Sequence, residues 1–282
     1  MKPSSRAVLV IGMHRSGTSA VARGLAALSV YLGDNFLDAQ PENPTGYWED
    51  KAIVELNDRV LAALGLKWDD VVPIEHKQLE RFRVRRLRGK AVGYVKRTFG
   101  RHALWGFKDP RTIRLLPFWR RALRDSKAED AYVVVVRNPL SVAASLNRRQ
   151  GMDMLRAQRL WLAHMVPFLD EIRDRPFVVV DYDLLMAQPR SQLERIAAAL
   201  QLHSLDAANA REIDRFAAEF LDEGLRHTVF SPSDLDGSTV EARLTQEAYV
   251  LLLALASDRL ESGAEFWPAW ERIRREYETQ VS

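Results

Sequence analysis

Cysteine is absent from the 282 residues of the chain, and this excludes disulfide bonds and zinc sites built from thiolates. The sequence also lacks an uncharged apolar run long enough to span a bilayer. Residues 1–6 lead directly into a short apolar strand, without the pattern of a signal peptide. We therefore expect a cytoplasmic protein that has no transmembrane segment.

A large excess of charge of one sign is missing as well. The chain has 41 basic and 38 acidic residues, a formal net charge of +3 and an isoelectric point near 9.2. This small excess does not indicate a nucleic-acid partner. One segment differs, because residues 81–101 contain nine basic residues. Such a run favours a solvated helix face, with attraction of an anionic substrate or contact with a membrane surface as alternatives.

Short apolar strands alternate with helical patterns along the first two thirds of the chain. The predicted strands are residues 8–11, 104–108, 131–136 and 176–182. This alternation predicts an α/β fold of three layers, in which helices cover both faces of a central parallel sheet. We expect a single domain over residues 1–282, with a core of about 6–200 and additional C-terminal helices in about 201–282.

Two long helices are predicted within this frame. Residues 75–99 are expected to be helical with an interruption at Gly89 or Gly93, because glycine weakens a helix interior. Residues 154–173 have the periodicity of one continuous amphipathic helix.

A glycine-rich turn joins the first predicted strand to the first helix. Gly12 and Gly17 have the spacing of the phosphate-binding pattern G-x-x-x-x-G-K-S/T, and Ser19 occupies its hydroxyl position. Thr18 stands where that pattern has lysine. Small residues still allow backbone N–H groups to converge on an anion at the positive end of a helix. Arg15, inside the turn, can supply the missing cation.

The segment 15–19, Arg-Ser-Gly-Thr-Ser, resembles the 5′-phosphosulfate loop of the sulfotransferases, which use a P-loop architecture to hold PAPS (3′-phosphoadenylyl sulfate). The resemblance implies a P-loop NTPase-like sulfotransferase fold, with PAPS as donor and PAP as product. It implies no metal, because a sulfuryl donor needs neither the lysine nor the Mg²⁺ that a kinase uses on a γ-phosphate. The implied donor-binding residues of the loop are Gly12, His14, Arg15, Ser16, Gly17, Thr18 and Ser19.

A second anion-binding pattern follows the strand at 131–136. Arg137 stands at the strand end and Ser145 comes eight residues later in a helix, so a guanidinium fork and a hydroxyl can grip one phosphate. The pair resembles the motif with which sulfotransferases bind the 3′-phosphate of PAPS, an Arg-Asp/Asn-Pro at a strand end and a serine at this spacing. The alternative is that Arg137 is a surface cap and Ser145 an ordinary helix residue.

Sulfuryl transfer to an alcohol requires a base, because the hydroxyl loses its proton as it attacks. Glu49 resembles the glutamate that follows the first helix in carbohydrate and tyrosyl sulfotransferases, so we take it as the predicted base. It can instead be a first-turn carboxylate that favours the helix dipole. Asp50 and Glu42 are reserve candidates. His14 is expected to contact phosphate or sulfate rather than to accept the proton.

The polar cluster at residues 108–111 follows the second predicted strand, and ligands of parallel sheets bind at the carboxyl ends of strands. Lys108 is therefore predicted to stabilise negative charge in the transition state. Arg111 either orients Asp109 or the donor, or forms a purely structural pair with Asp109. Further candidates are Tyr47, Trp48 and Trp68 for the acceptor pocket, with core packing as the alternative, and Arg226 and His227 for covering the nucleotide.

The resemblance implies a PAPS-dependent sulfotransferase that acts on a hydroxyl group of a saccharide, a glycolipid or another small metabolite. In this hypothesis Glu49 is the base, and Lys108 and Arg15 assist catalysis. Residues beyond Gly224 lack the Arg-Lys-Gly loop of cytosolic small-molecule sulfotransferases, which favours the bacterial and carbohydrate branch. The alternatives are a P-loop nucleotide kinase-like phosphotransferase and a non-catalytic nucleotide-binding protein.

Overall fold

The computed structural model of the protein describes residues 5–39, 46–202, 206–220, 230–235 and 239–281. Its strands pair in parallel in the order β2-β1-β3-β4. The strands are β1 (Ser5–Gly12), β2 (Leu104–Lys108), β3 (Ala128–Val136) and β4 (Phe177–Asp181). Each of the four predicted strands is present, and the predicted parallel sheet is confirmed.

Helices connect and flank these strands. They are α1 (Thr18–Ala27), α2 (Lys51–Ala63), α3 (His76–Leu79), α4 (Phe82–Thr98), α5 (Leu116–Ser126), α6 (Pro139–Gln150), α7 (Met154–Met165), α8 (Tyr182–Ala187), α9 (Pro189–Ala199), α10 (Ala207–Arg215), α11 (Val240–Ala256) and α12 (Phe266–Val281). Short 3-10 helices cover Pro110–Leu115 before α5, Leu169–Ile172 before β4 and Pro232–Asp234 before α11, and one π-helical turn, Phe216–Phe220, follows α10.

The sheet lies between two apolar cores. Because successive side chains of a strand point to opposite faces, Leu9 and Ile11 of β1 pack with α2, α4, α5 and α7, whereas Val8 and Val10 pack with α1 and α9. The strands are apolar throughout because both faces are covered. Helices α11 and α12 extend the first core, for example with Trp270. The predicted three-layer α/β fold with additional C-terminal helices is thus confirmed.

The order of the strands positions the site. β1 lies between β2 and β3. The chain therefore forms β2 on one side of β1 and then crosses to the other side to form β3. The carboxyl ends of these three strands, Gly12, Lys108 and Val136, are therefore neighbours at one edge of the sheet. A crevice at such a point is where open α/β sheets bind ligands.

Two helix predictions were wrong in their boundaries. The segment 75–99 breaks between α3 and α4, and α4 continues without interruption through Gly89 and Gly93. A stripe of buried residues at helical spacing holds α4 across both glycines. These residues are Val84, Leu87, Ala91 and Val95.

The helix predicted over 154–173 is also shorter than expected. α7 ends at Met165, and Pro167 follows within two residues. Proline lacks the backbone N–H that a continuing helix requires and clashes with the preceding turn. The remainder of the segment forms the short 3-10 helix Leu169–Ile172. Among the described residues, every helix is too short or too polar to cross a bilayer.

Candidate active site

The turn between β1 and α1 is pressed against neighbouring chain segments at both of its glycines. A Cβ atom at Gly12, where φ is +152°, would lie 2.4 Å from the carbonyl oxygen of Val135 in β3. A Cβ atom at Gly17, where φ is +86°, would lie 2.1 Å from a ring carbon of Tyr182. Glycine alone combines this backbone conformation with the absence of a side chain. Packing therefore fixes the backbone of the turn in place.

We expect Gly17→Ala to destabilise the protein by more than about 1 kcal/mol, because an L-residue strains at positive φ and the new methyl group overlaps the Tyr182 ring. Chemical denaturation measures the change in the free energy of unfolding. Gly89→Ala is the matched control, since a Cβ at Gly89 meets no atom within 4 Å. In the middle of α4 that substitution is expected to stabilise the protein by up to about 1 kcal/mol. Equal effects of the two substitutions would contradict the packing argument.

Ser16 lies inside this turn and is completely buried. Its Oγ has no hydrogen-bond partner among the described residues. A buried hydroxyl without a partner is costly, and the N-terminus of α1 next to it favours negative charge. An oxyanion held in the turn would satisfy both features, so the residues present fit an anionic group.

The two predicted anion motifs meet in the structure. Arg15 Nε donates a hydrogen bond of 2.9 Å to Ser145 Oγ, and a terminal nitrogen of Arg137 donates one of 3.3 Å to the carbonyl oxygen of Arg15. The Arg137 guanidinium also lies over the ring of Tyr182, 4.7 Å from its centre. Residues 15, 137 and 145 thus come from the turn after β1, the link after β3 and α6, and they meet at one edge of the sheet.

Tyr182 belongs to residues 181–183, which the sequence places at a strand end, but its role in the site was not predicted. It contacts both the Gly17 position and the Arg137 guanidinium, and so packs the first motif against the second. The only signal in the sequence is its position directly after the fourth strand. The preceding residue, Asp181, is buried and accepts hydrogen bonds from the N–H groups of Asp183 and Leu184 at the start of α8. Burial raises the pKa of Asp181 to about 6, and the Arg137 charge opposes this rise.

Lys108, at the end of β2, reaches across to the turn. Its Nζ donates hydrogen bonds to Glu49 Oε1 at 2.5 Å, to the Tyr47 carbonyl oxygen at 3.1 Å and to Ser19 Oγ at 3.2 Å. Both partners of the Lys108–Glu49 pair are buried. Lys108 therefore brings a positive charge beside Ser19, next to the position at which the phosphate-binding pattern has its own lysine.

Glu49 lies one residue before the N-cap of α2, so it is not a carboxylate of the first helical turn. Burial raises the pKa of the Glu49 carboxyl above its usual range, while the Lys108 charge opposes this and the Asp109 charge adds to it. Arg111 places a second cation 3.7 Å from Glu49 Oε2. The two cations stabilise the ionised carboxylate, and its burial makes it a stronger base than an exposed glutamate.

Both carboxylate oxygens of Asp50, the reserve candidate for the base, accept hydrogen bonds from other groups. Its Oδ1 accepts hydrogen bonds from the N–H groups of Ala52 and Ile53, as an N-cap does. Its Oδ2 accepts a hydrogen bond of 2.6 Å from the Tyr94 hydroxyl of α4. Asp50 thus anchors the helix that follows Glu49. The other reserve, Glu42, lies outside the described residues, as do Arg226 and His227.

Asp109 and Arg111 form a network that also touches the site. Asp109 is completely buried, and its Oδ1 accepts hydrogen bonds of 2.9 Å from both the backbone and the guanidinium of Arg111. Its Oδ2 accepts one from Asn57 at 3.0 Å. Arg111 Nε lies 2.7 Å from Asp58. The network fixes the direction in which the Arg111 guanidinium faces Glu49. Arg111 is therefore both a structural partner of Asp109 and a neighbour of the predicted base.

His14 is held by aromatic neighbours. Its ring centre lies 4.4 Å from that of Trp68 and 5.7 Å from that of His164. Burial, followed by the Arg111 charge, lowers the pKa of His14 well below its usual value. The ring is therefore uncharged at neutral pH and adds no cation to the turn. Trp68 thus packs beside the site, whereas Trp48 packs on Phe36, with ring centres 5.3 Å apart.

These features define an α/β protein in which a glycine-bounded turn that fits an anion, a strand-end arginine and a buried Lys–Glu pair share one edge of a parallel sheet. The sequence profile of the sulfotransferase family matches residues 7–206. The chain belongs to the sulfotransferase family, and the predicted family is confirmed. No curated protein sequence is significantly similar to the chain.

Solved structures similar to the chain share little sequence with it. The sulfotransferase domain of the Synechococcus PCC 7002 olefin synthase is 18% identical, with a TM-score of 0.47, covering 100% of this chain and 96% of that one. The sulfotransferase STF1 from Mycobacterium tuberculosis is 16% identical, with a TM-score of 0.45, covering 87% and 76%. Retinol dehydratase, in complex with androsterone and the inactive cofactor PAP, is 14% identical, with a TM-score of 0.32, covering 100% and 80%.

Proposed function

We propose that the protein transfers a sulfuryl group from PAPS to a hydroxyl group of a saccharide, a glycolipid or another small metabolite. The family membership supports sulfuryl transfer in general. The observation that carries the proposal is the meeting of Arg15, Ser145 and Arg137 beside the Gly12–Ser19 turn, because PAPS carries an anionic group at each of two positions of one ribose. One nucleotide can therefore engage both motifs.

The donor-binding roles follow from the chemistry of the side chains. The backbone of residues 12–19, the Ser16 hydroxyl and the N-terminus of α1 would hold the 5′-phosphosulfate. Arg137 and Ser145 would hold the 3′-phosphate, the arginine as a charged fork. Arg15, which contacts both motif segments, would lie between the two anions. When bound, PAPS would supply the activated sulfuryl group, and PAP would leave with the negative charge on its 5′-phosphate.

The catalytic roles fall to the buried pair. Glu49 would accept the proton of the acceptor hydroxyl as that oxygen attacks sulfur. Lys108, held at Ser19 and Glu49, would face the negative charge that develops on the leaving phosphate. Proton acceptance and charge stabilisation thus belong to two groups in direct contact. Trp68 would offer the acceptor an apolar ring, and the uncharged His14 would offer it a polar one, beside the Lys108–Glu49 pair.

Thermal unfolding with nucleotides tests the donor assignment. PAP is expected to raise the melting temperature without Mg²⁺, because binding to the native state alone stabilises it. ATP with Mg²⁺ is the comparison. Stabilisation by ATP only when Mg²⁺ is present, and none by PAP, would indicate the kinase-like alternative and refute the proposal.

Turnover is tested with labelled PAPS and a panel of saccharide, glycolipid and small alcohol acceptors. We expect label to appear in at least one acceptor. Binding of PAP without transfer to any acceptor, together with donor hydrolysis no faster than in buffer and unchanged by Glu49→Gln, would instead indicate a non-catalytic nucleotide-binding protein.

A further inference from the structure

The segment 81–101 forms a strongly positive surface that the site does not use. It contains nine basic residues and no acidic one, so the rest of a chain whose net charge is +3 carries −6. Arg88 lies 3.6 Å from Asp125. The other eight are exposed and have no ion pair with any described residue. They are Arg81, Arg83, Arg85, Arg86, Lys90, Lys96, Arg97 and Arg101.

The periodicity of α4 orders these charges into stripes on its outward face. Arg86, Lys90 and Arg97 lie along one side, and Arg85 and Lys96 lie along the other. The line between them has the spacing i, i+7, i+11 and consists of Phe82, Gly89 and Gly93. The outward face of α4 therefore has an uncharged central strip between two rows of cations. We call this surface the α4 basic face.

Packing within the molecule does not require glycine at positions 89 and 93 or an aromatic residue at position 82. A Cβ atom at Gly89 would meet nothing within 4 Å, and one at Gly93 would meet only the Arg97 guanidinium, at 3.3 Å. Glycine weakens a helix interior relative to alanine, so these two residues bring no gain within the chain itself. Phe82, at the end of the strip, is 72% exposed. Features that do not serve packing within the molecule point to a contact outside it.

We propose that the α4 basic face binds the surface of a membrane that contains anionic phospholipids. An anionic leaflet attracts clustered Lys and Arg side chains, and the interfacial region of a bilayer accommodates an aromatic ring such as Phe82 beside lipid phosphates. A helix of 17 residues offers a face about 25 Å long, which suits a planar partner. A nucleic-acid duplex would satisfy the charges but leave Phe82 in water.

This surface is connected to the active site. Tyr94 of α4 donates a hydrogen bond of 2.6 Å to Asp50, the residue next to Glu49. Through Asp50, α4 therefore contacts the segment that holds Glu49. Membrane binding needs neither donor nor acceptor, so it is measured independently of the proposed reaction.

Co-sedimentation with vesicles tests the proposal on the full-length protein. Vesicles of phosphatidylcholine are compared with vesicles that also contain phosphatidylglycerol, over a series of salt concentrations. We expect binding to the anionic vesicles only, and weaker binding at higher salt. The triple variant Arg86→Gln, Lys90→Gln, Arg97→Gln is expected to bind about 100-fold more weakly, because each cation near the surface contributes about a fivefold gain in affinity.

The matched control is the triple variant Lys67→Gln, Arg211→Gln, Arg259→Gln, which removes the same charge from exposed positions elsewhere. It is expected to bind as the wild type does, and circular dichroism verifies that both variants fold. Phe82→Ser is expected to weaken binding at constant charge. Absence of wild-type binding to anionic vesicles at low salt, or equal losses in both triple variants, would overturn the proposal. Tighter binding to duplex DNA than to vesicles would overturn it too.

Discussion

Glu49→Gln is expected to reduce turnover by at least about 100-fold, in keeping with the contribution of a general base, while the affinity for PAP stays close to that of the wild type. Glutamine keeps an oxygen that can accept the Lys108 hydrogen bond, but it cannot take up a proton. The kcat with a competent acceptor and the Kd for PAP, measured by calorimetry, separate the two effects. A variant with normal turnover would show that Glu49 is a structural partner of Lys108.

The pH profile adds a second readout to this test. Because burial raises the pKa of Glu49 above its usual range, activity of the wild type should rise with pH through that raised pKa, as the carboxyl loses its proton. The uncharged His14 should add no inflection near neutral pH. Glu55→Gln is the matched control on α2, since Glu55 is exposed and pairs only with Arg59 among the described residues. Its turnover and pH profile should equal those of the wild type.

Arg137→Ala is expected to weaken PAP binding by about 100-fold, since a hydrogen bond to a charged group contributes up to about 3 kcal/mol. The proposed assignment to the 3′-phosphate makes a sharper prediction. The loss should be small for 5′-AMP, which lacks that phosphate. Calorimetric titration of both nucleotides into both proteins measures the difference.

Two further variants control this result. Arg148→Ala removes an exposed arginine from the same helix as Ser145, and it should leave the affinity for PAP unchanged. Ser145→Ala should weaken PAP binding less than Arg137→Ala does, because a neutral hydrogen bond contributes about 1 kcal/mol. Equal losses for PAP and 5′-AMP in Arg137→Ala would assign the arginine to another part of the site or to packing against Tyr182.

The sheet and the position of the site followed from the sequence because their signals are local. Unbroken apolar runs such as residues 131–136 predict strands that are covered on both faces, and the spacing of Gly12 and Gly17 predicts the turn. The alternation of strands and helices then places polar strand ends at one edge. The sequence thus predicts that Lys108, Arg137 and the turn share one edge of the sheet.

The roles of other site residues depend on contacts between residues distant in the sequence, and local sequence patterns do not predict such contacts. Tyr182 is aromatic like many core residues, and only its contacts with Gly17 and Arg137 reveal its place. The expected contact of His14 with phosphate or sulfate stays a prediction, and the burial that leaves its ring uncharged could not be read from the sequence. Asp50 has the same chemistry as Glu49, but helix capping and Tyr94 occupy its oxygens. The helix interruption expected at Gly89 or Gly93 does not occur, because buried packing along α4 outweighs the weak helix propensity of glycine, and the break lies at residues 80–81 instead.

The arrangement of Lys108 separates two duties that a phosphate-binding loop with its own lysine combines. In the proposed site the turn after β1 supplies the shape and Arg15, while the lysine charge comes from Lys108 on the neighbouring strand. A substitution at position 108 can therefore change the positive charge beside the turn without changing Gly12 and Gly17, which set the path of its backbone. A sequence pattern that requires lysine within the loop does not match this chain, whereas one that pairs the glycine spacing with a lysine at the end of the adjacent strand does.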